Sequence, residues 1–362
     1  MTVRAYRFHI VGAALWLLGV CLVSIGCGGD DNDPPPDSVV YSTLNYPGAG
    51  GDSTLLTGVR GVTNSSDVYI SGFYAPAGSS VGIAGLIYKG ATSGGGTWYT
   101  FTYPSSSGAT VTSTAFYGPD NGTAGGISVV GNITTAEAGD SVPIGALYQG
   151  PLDGSGSWRT ITPPLATATI VHSNMAEFAV GNYETGGGAG PGKAFVYDID
   201  ADSYFELVKP GAVSITAYGI WHNGGTSYTI AGGYAEIGIA AAYLADWDSA
   251  THTASNWKSY RFKDQPQAIT LLSHFEGITT DGAGGYNLAA DSIVVESGLV
   301  VDAALANVPR NRDGSFGDAT WTTVSYPNSK VTSANTVYQQ KIIGVYQVSG
   351  SDVSNGYVAA IH

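Results

Sequence analysis

The sequence predicts an all-β fold, a six-bladed β-propeller, after an N-terminal signal segment. Three observations indicate this fold. Glycine supplies 52 of the 362 residues and aromatic residues 11%, whereas charged residues make up only 12%, a composition typical of strands separated by tight turns. A strand-like segment that ends at proline recurs six times along the chain. No stretch beyond the signal has the 3.6-residue apolar period of an amphipathic helix.

The first 26 residues are expected to form a lipoprotein signal peptide. Arg4 and Arg7 precede an apolar run of about 17 residues, near the lower limit for a membrane span. The junction SIGC resembles the lipobox of bacterial lipoproteins, which implies lipid attachment to Cys27; an uncleaved membrane anchor is the alternative. Both interpretations export and tether the protein. Gly28 after the cysteine is typical of lipoproteins released to the outer membrane, so we expect the bacterial outer membrane or cell surface.

Residues 27–38 form an acidic, proline-rich linker, and residues 39–362 form the propeller domain. The domain contains no cysteine, which excludes disulfides and thiol chemistry there. Without the two arginines of the signal, 12 basic residues stand against 28 acidic ones, a balance of −16. Such a surface repels nucleic acid, so nucleic-acid binding is not expected.

The repeated unit begins and ends at a proline and is 46 to 61 residues long. The six prolines are Pro47, Pro104, Pro164, Pro210, Pro266 and Pro327. Each unit is predicted to contain an inner strand, a Gly-x-aromatic strand such as FAVGNY, a third strand such as IGALYQG, and an outer strand that carries Trp or Tyr and ends at proline. Four short strands in a unit of this length are typical of a propeller blade.

The two ends of the domain predict how the ring closes. The domain begins with VYSTLNYP, an outer strand without the three strands that should precede it, and the chain ends with GYVAAIH, a third strand without its outer strand. We expect these two strands to pair, because closure removes the open sheet edges that would otherwise invite aggregation.

Two segments carry a resemblance to a known family. KAFVYDI at 193–199 and GALYQG at 145–150 resemble the AFLW-type strand of the extracellular HAF repeats of bacterial surface proteins. The resemblance rests on the spacing of glycine and aromatic residues over most of residues 40–362. It implies a surface location, and it brings no catalytic motif.

Polar and aromatic side chains on the predicted inner strands are candidates for a ligand site, because these strands line the channel of a propeller. We expect a mouth suited to a sugar or a peptide. Three histidines there could alternatively bind a transition metal, or simply line the channel in contact with water. His172 and His274 each stand eight residues after their proline and are therefore expected to share a register, whereas His222 stands twelve after. The candidates are His172, His222, His274, Glu276, Tyr117, Tyr218, Tyr338 and Arg60.

The segment YDIDADSYFE places Asp198, Asp200 and Asp202 at alternate positions, as in the first half of a calcium loop. Ser203 and Lys209 replace the glycine and the glutamate that an EF-hand requires, which excludes that motif. A looser Ca²⁺ site and an ordinary acidic turn both remain open. No other cofactor is expected.

No GxSxG, HExxH or P-loop motif is present. The leading hypothesis is a monomeric, lipid-anchored propeller that acts as a binding or scaffold module for a protein or glycan partner. The alternative is a carbohydrate-active enzyme, a hydrolase or lyase, with its site at the channel mouth. A purely structural role in the cell envelope is a third interpretation. The sequence does not decide whether the protein is catalytic.

Overall fold

A computed structural model describes residues 39–79, 82–105, 110–137, 142–186, 192–262, 269–295 and 299–362. The signal peptide, the linker and Cys27 lie outside the described residues. Within the described ranges no helix is long and apolar enough to cross a bilayer. The helical elements in those ranges are two 3-10 turns, Pro47–Ala49 and Thr123–Gly125.

Six four-stranded antiparallel sheets stand in a ring, so the prediction of a six-bladed propeller is confirmed. Each inner strand contacts the inner strands of the blades before and after it. Blade 1 contains β2 (Ser53–Gly61), β3 (Val68–Ala75), β4 (Ala84–Gly90) and β5 (Thr97–Phe101); blade 2 contains β6 (Val111–Asn121), β7 (Ile127–Thr135), β8 (Ile144–Gly150) and β9 (Ser157–Ile161); blade 3 contains β10 (Ala168–Met175), β11 (Phe178–Glu184), β12 (Lys193–Asp198) and β13 (Ser203–Leu207). Blade 4 contains β14 (Ser214–Gly224), β15 (Ser227–Glu236), β16 (Ile239–Asp248) and β17 (Thr253–Tyr260); blade 5 contains β18 (Ile269–Thr280), β19 (Tyr286–Val295), β20 (Leu299–Val308) and β21 (Thr320–Val324); blade 6 contains β22 (Ser329–Tyr338), β23 (Lys341–Val348), β24 (Asn355–Ile361) and, as its outer strand, β1 (Val39–Thr43).

The N-terminal strand closes the ring, as predicted. Strand β1 pairs antiparallel with β24 over its whole length. The ring of Tyr41 packs edge-on against Tyr326, with centroids 5.5 Å apart, and tilts towards Tyr357 at 6.4 Å. Just beyond β1, the amide of Leu44 donates to the carbonyl oxygen of Gly356 at 2.9 Å. Pairing between the two chain ends therefore leaves blade 6 with four strands like the others.

The repeated aromatic and apolar positions of the outer strands pack onto the rings of their own blade or of the next one. Phe101, at the end of the outer strand of blade 1, contacts the rings of Phe116 and Tyr148 in blade 2, at 5.3 and 5.0 Å. Trp158, on the outer strand of blade 2, covers the same two rings at 5.7 and 5.0 Å. Aromatic contacts of this kind add about 0.5–1.5 kcal/mol each beyond the burial of apolar surface.

The glycine of the Gly-x-aromatic motif lies where the inner strand approaches most closely. A Cβ on Gly131 would lie 2.0 Å from the carbonyl oxygen of Ala115, and one on Gly344 would lie 1.9 Å from that of Ser333. Both glycines pair with the residue just before a bulge in the inner strand. Blade 5 departs from the motif and has Ala290 at this place. The motif therefore marks the bulge.

Candidate functional site

Every inner strand carries a β-bulge, and the six bulges lie at one level around the channel. A Cβ on Gly58, next to the bulge of blade 1, would meet the carbonyl oxygen of Tyr117 in the bulge of blade 2. A bulge leaves one residue unpaired and redirects its side chain. We call the six residues that the strand register skips the bulge ring. They are Thr57, Tyr117, His172, Tyr218, Glu276 and Asn335.

The bulge ring nearly fills the channel. Five of its members, together with Thr336, line a cavity at its centre. The free space there is about 20 Å³, which is room for one particle of the size of a water molecule. A sugar or a peptide therefore has no space in the channel at this level.

Aromatic rings form a continuous row along one side of the channel. The ring of His172 lies edge-on between Tyr117 and Tyr218, with centroid distances of 5.2 and 4.4 Å, and Tyr218 lies 5.6 Å from His274. Burial raises the pKa of both tyrosines above the usual value, and the charge of Glu276 raises the pKa of Tyr218 further. Both phenols therefore stay protonated in the physiological range.

Glu276 and His274 lie next to each other, and each has a buried side-chain atom that makes no hydrogen bond in the structure described. Glu276 Oε1 lies 3.5 Å from His274 Nδ1, and neither atom has a hydrogen-bond partner among the described residues. The two side chains are 16% and 9% exposed. Imidazole and backbone are in tight contact here, since a Cβ on Gly233 would lie 2.1 Å from His274 Cδ2. The pair is therefore enclosed and fixed in position.

A second buried carboxylate lies behind this pair. Asp291, on β19, accepts the amide of Ala334 at 2.7 Å and the hydroxyl of Ser333 at 2.8 Å, and so joins blade 5 to blade 6. Burial, and then the charge of Glu276, raise the pKa of Asp291 to about 8. Its carboxyl is therefore mostly protonated at neutral pH.

Arg60, which also lines the cavity, holds neighbouring blades together. Its guanidinium carbon lies 5.3 Å from the ring centroid of Trp221, its Nη2 donates to the carbonyl oxygen of Asn174 at 3.1 Å, and its Nε lies 3.6 Å from Asp120 Oδ1. Burial lowers the pKa of Arg60, and Asp120 partly opposes that effect. These contacts join blade 1 to blades 2, 3 and 4.

The predicted residues do not all come together. Tyr117, His172, Tyr218 and Glu276 belong to the bulge ring, and His274 is next to it. His222 instead stacks on Tyr228 at 4.5 Å, and its Nε2 lies 2.9 Å from the carbonyl oxygen of Gly225. Tyr338 packs beside Gly61, whose Cβ would lie 3.0 Å from the phenol oxygen.

The expectation that His172 and His274 share a register is wrong. The bulge positions show that Glu276 is the counterpart of His172, because the connections that follow the prolines differ in length. Within the described residues there is no group of three or more His, Cys, Asp or Glu side chains arranged to hold a metal ion.

The aspartates of the YDIDADSYFE segment hold a hairpin turn between β12 and β13. Asp198 Oδ1 accepts the amides of Asp200 and Ala201, at 3.0 and 2.8 Å. Asp202 Oδ1 accepts the hydroxyl of Tyr197 at 2.6 Å. Two of the three carboxylates thus satisfy groups of their own turn, as expected for an ordinary acidic turn.

Sequence reasoning missed two members of the bulge ring. The hydroxyl of Thr57 donates to the carbonyl oxygen of Phe116 at 2.6 Å. The side-chain amide of Asn335 donates to the carbonyl oxygen of Leu56, also at 2.6 Å. Both bonds cross from one blade to the next. Their only sequence signal is a polar residue within a largely apolar inner strand.

The two faces of the disc differ in chemistry. We call the face at which the inner strands begin the loop face, and the opposite one the turn face. Nine large apolar side chains are exposed among the described residues, and all except Val40 lie at the loop face. Those eight are Ile83, Leu165, Val208, Val213, Ile237, Ile239, Leu271 and Val348. None of them is aromatic.

Blade 4 holds the densest part of this apolar surface on two braced connections. Lys209 Nζ lies 2.6 Å from Glu236 Oε1 and 3.8 Å from the ring centroid of Tyr234. This contact ties the connection that carries Val208 to the hairpin that carries Ile237, a residue 95% exposed. Neighbouring aliphatic side chains are thereby presented on a fixed backbone.

No protein-family model and no curated protein matches the chain. Among solved structures it is similar to an α-L-arabinanase of Cellvibrio cellulosa, with 12% identity, a TM-score of 0.40 and coverage of 74% of this chain and 94% of the other. It is also similar to a YCF48 protein bound to a D1 peptide, with 11% identity, a TM-score of 0.39 and coverage of 91% and 96%. A third is an ulvan lyase described as a new family of polysaccharide lyase, with 12% identity, a TM-score of 0.41 and coverage of 84% and 85%. These proteins are propellers, and the likeness implies no shared ligand or reaction.

Proposed function

We propose that the protein is an exported propeller, anchored through a lipid on Cys27 at the bacterial outer membrane or cell surface, that binds a partner protein through its loop face. The observation that carries this proposal is the asymmetry of the disc: eight of the nine exposed large apolar side chains of the described residues lie on one face. Four of the eight, Val208, Val213, Ile237 and Ile239, lie on two connections that contact each other, and clustered exposed apolar side chains are typical of interaction sites.

The chemistry of that face favours a protein over a glycan. Sugars are usually held by stacking on aromatic rings, whereas the exposed apolar residues here are leucine, isoleucine and valine. Aliphatic side chains on a braced backbone instead suit the apolar centre of a protein interface. The net charge of −14 for the whole chain adds a preference for a partner with basic residues around its own apolar patch.

The alternative of a carbohydrate-active enzyme with its site at the channel finds less support. A glycoside hydrolase usually needs two carboxylates facing a bound sugar, and a hydrolase or a lyase alike needs room for the sugar. Glu276 faces a cavity of about 20 Å³ and Asp291 is buried behind it. A broad panel of polysaccharides should therefore show no release of reducing or unsaturated ends, and sustained turnover would favour the enzyme instead.

A site-specific photo-crosslink tests the partner proposal. The full chain is produced in bacterial cells with p-benzoylphenylalanine in place of Ile237, and irradiation should give a discrete adduct with another envelope protein. The matched control carries the same group at Ala201, which is exposed on the turn face. Val208→Asp should weaken the adduct at Ile237 while leaving the melting temperature unchanged. No adduct at Ile237, or the same adduct from both positions, would contradict the proposal.

A further inference from the structure

The centre of the channel combines two features that blade packing does not explain. Glu276 Oε1 and His274 Nδ1 are enclosed without a hydrogen-bond partner among the described residues. Beside Glu276 the bulge ring leaves a cavity of about 20 Å³. Burial of a carboxylate oxygen that accepts no hydrogen bond is unfavourable, because the oxygen has lost its hydration and has only the 3.5 Å contact with His274 Nδ1 in return. Some small species should therefore occupy the cavity.

No positive side chain around the cavity makes a hydrogen bond with the buried oxygen of Glu276. Arg60 also lines the cavity, but its guanidinium is placed against Asp120 and Trp221. His274 is the one basic group that the described ion pairs place beside Glu276. Asp291 lies close enough to feel the charge of Glu276, but its raised pKa keeps it mostly protonated at neutral pH, so it neither balances nor adds much charge. Glu276 is thus the acidic group of the lining whose buried oxygen receives no hydrogen bond from a positive side chain among the described residues.

The size and ligand types of the cavity decide what it can hold. Its volume admits one particle of the size of a water molecule. Carboxylate and hydroxyl oxygens suit hard cations rather than transition metals. A divalent ion usually needs several charged ligands, and the described residues contain no group of three that could hold a metal. One carboxylate with neutral oxygens around it matches a single positive charge.

We propose that the bulge ring binds one small monovalent cation, Na⁺, K⁺ or ammonium, with the Glu276 carboxylate as its counter-charge. Thr57 and Thr336 belong to the same lining and bring neutral hydroxyl groups to the site. Because all six inner strands contribute to this lining, the bound ion stabilises the closed ring as a whole. The site is independent of the partner proposed for the loop face.

Thermal unfolding of the purified full chain tests the proposal. The melting temperature is measured in NaCl, KCl and ammonium chloride, and in choline chloride at the same ionic strength, since choline is too large for the cavity. At saturation, at least one small cation should raise the melting temperature by about 3–5 °C over choline. Comparison of the three salts identifies the preferred ion.

Two variants link the effect to the carboxylate. Glu276→Gln should abolish the difference between the small cations and choline, whereas Glu177→Gln, on an exposed residue, should retain it. Glu276→Asp keeps the charge at a shorter reach, so the same rise should need a higher cation concentration; it also decides the question if the glutamine variant does not fold. Equal melting temperatures in all four salts, or an undiminished response in Glu276→Gln, would overturn the proposal and leave only water in the cavity.

Discussion

The protonated state of Asp291 predicts an unusual dependence of stability on pH. Its carboxyl is buried, and its pKa is raised from the ordinary 3.8 to about 8. Between these values the folded protein holds a proton on Asp291 that the unfolded chain does not hold. The contribution of this group to stability is therefore complete below about pH 4 and is lost as the pH rises towards 8.

The magnitude follows from the size of the shift. A difference of about 4 pKa units, at about 1.4 kcal/mol for each unit, corresponds to at most about 6 kcal/mol across this range. Asp291→Asn cannot ionise, yet its amide can still accept from the backbone of Ala334 and donate to the hydroxyl of Ser333. The variant should therefore lose the pH dependence that this group causes while keeping the contacts.

The assay is urea unfolding of the wild type and of Asp291→Asn at several pH values between 4 and 8, in choline chloride so that small inorganic cations do not fill the channel. The free energy of unfolding of the wild type, relative to the variant, should fall steadily as the pH rises. Asp200→Asn, on an exposed turn residue, should run parallel to the wild type. Parallel curves for the wild type and Asp291→Asn would refute the reasoning.

Two further substitutions test the closure of the ring and the bulges. Tyr41→Ala removes the ring that packs on Tyr326. Because Tyr41 is only half-buried, the substitution should lower the free energy of unfolding by about 2–3 kcal/mol. A loss below about 0.5 kcal/mol would contradict the importance of the N-terminal strand for closing the ring. Gly344→Ala places a methyl group against the carbonyl oxygen of Ser333 and should lower the melting temperature by several degrees. The control, Ala290→Gly at the same place in blade 5, should lower the free energy of unfolding by only about 1 kcal/mol. Similar small effects from both variants would show that the close approach at Gly344 is easily relieved.

The blade count, the strand order within each blade and the closure by the N-terminal strand were predictable because they rest on repetition. The Trp or Tyr and the proline recur in all six units and the glycine of the second strand in five of them, so the copies reinforce one signal. Phe101 and Trp158 illustrate this, since both occupy repeated positions and both pack onto the rings of blade 2.

The candidate site was predictable only in part, because it uses the positions that differ between blades. In blade 3 the bulge residue, His172, stands eight residues after Pro164. In blade 2 the bulge residue, Tyr117, stands thirteen residues after Pro104. Counting from the proline therefore misplaced Glu276 relative to His172. Asp291 could not be found at all from its sequence position, because its environment is created by burial between two blades.

The division between repeated and variable positions also bears on where a partner can bind. Channel side chains are committed to neighbouring blades or to one another, so the channel at the level of the bulge ring offers space for little more than an ion. On the turn face the connections lie within hairpins, whose pairing restricts their length. On the loop face, the connections between blades are not bound by such pairing, so residues such as Val208 and Leu165 can vary without disturbing the sheets. Residues that select a partner can therefore change most easily on the loop face, and eight of the nine exposed large apolar side chains of the described residues also lie on that face.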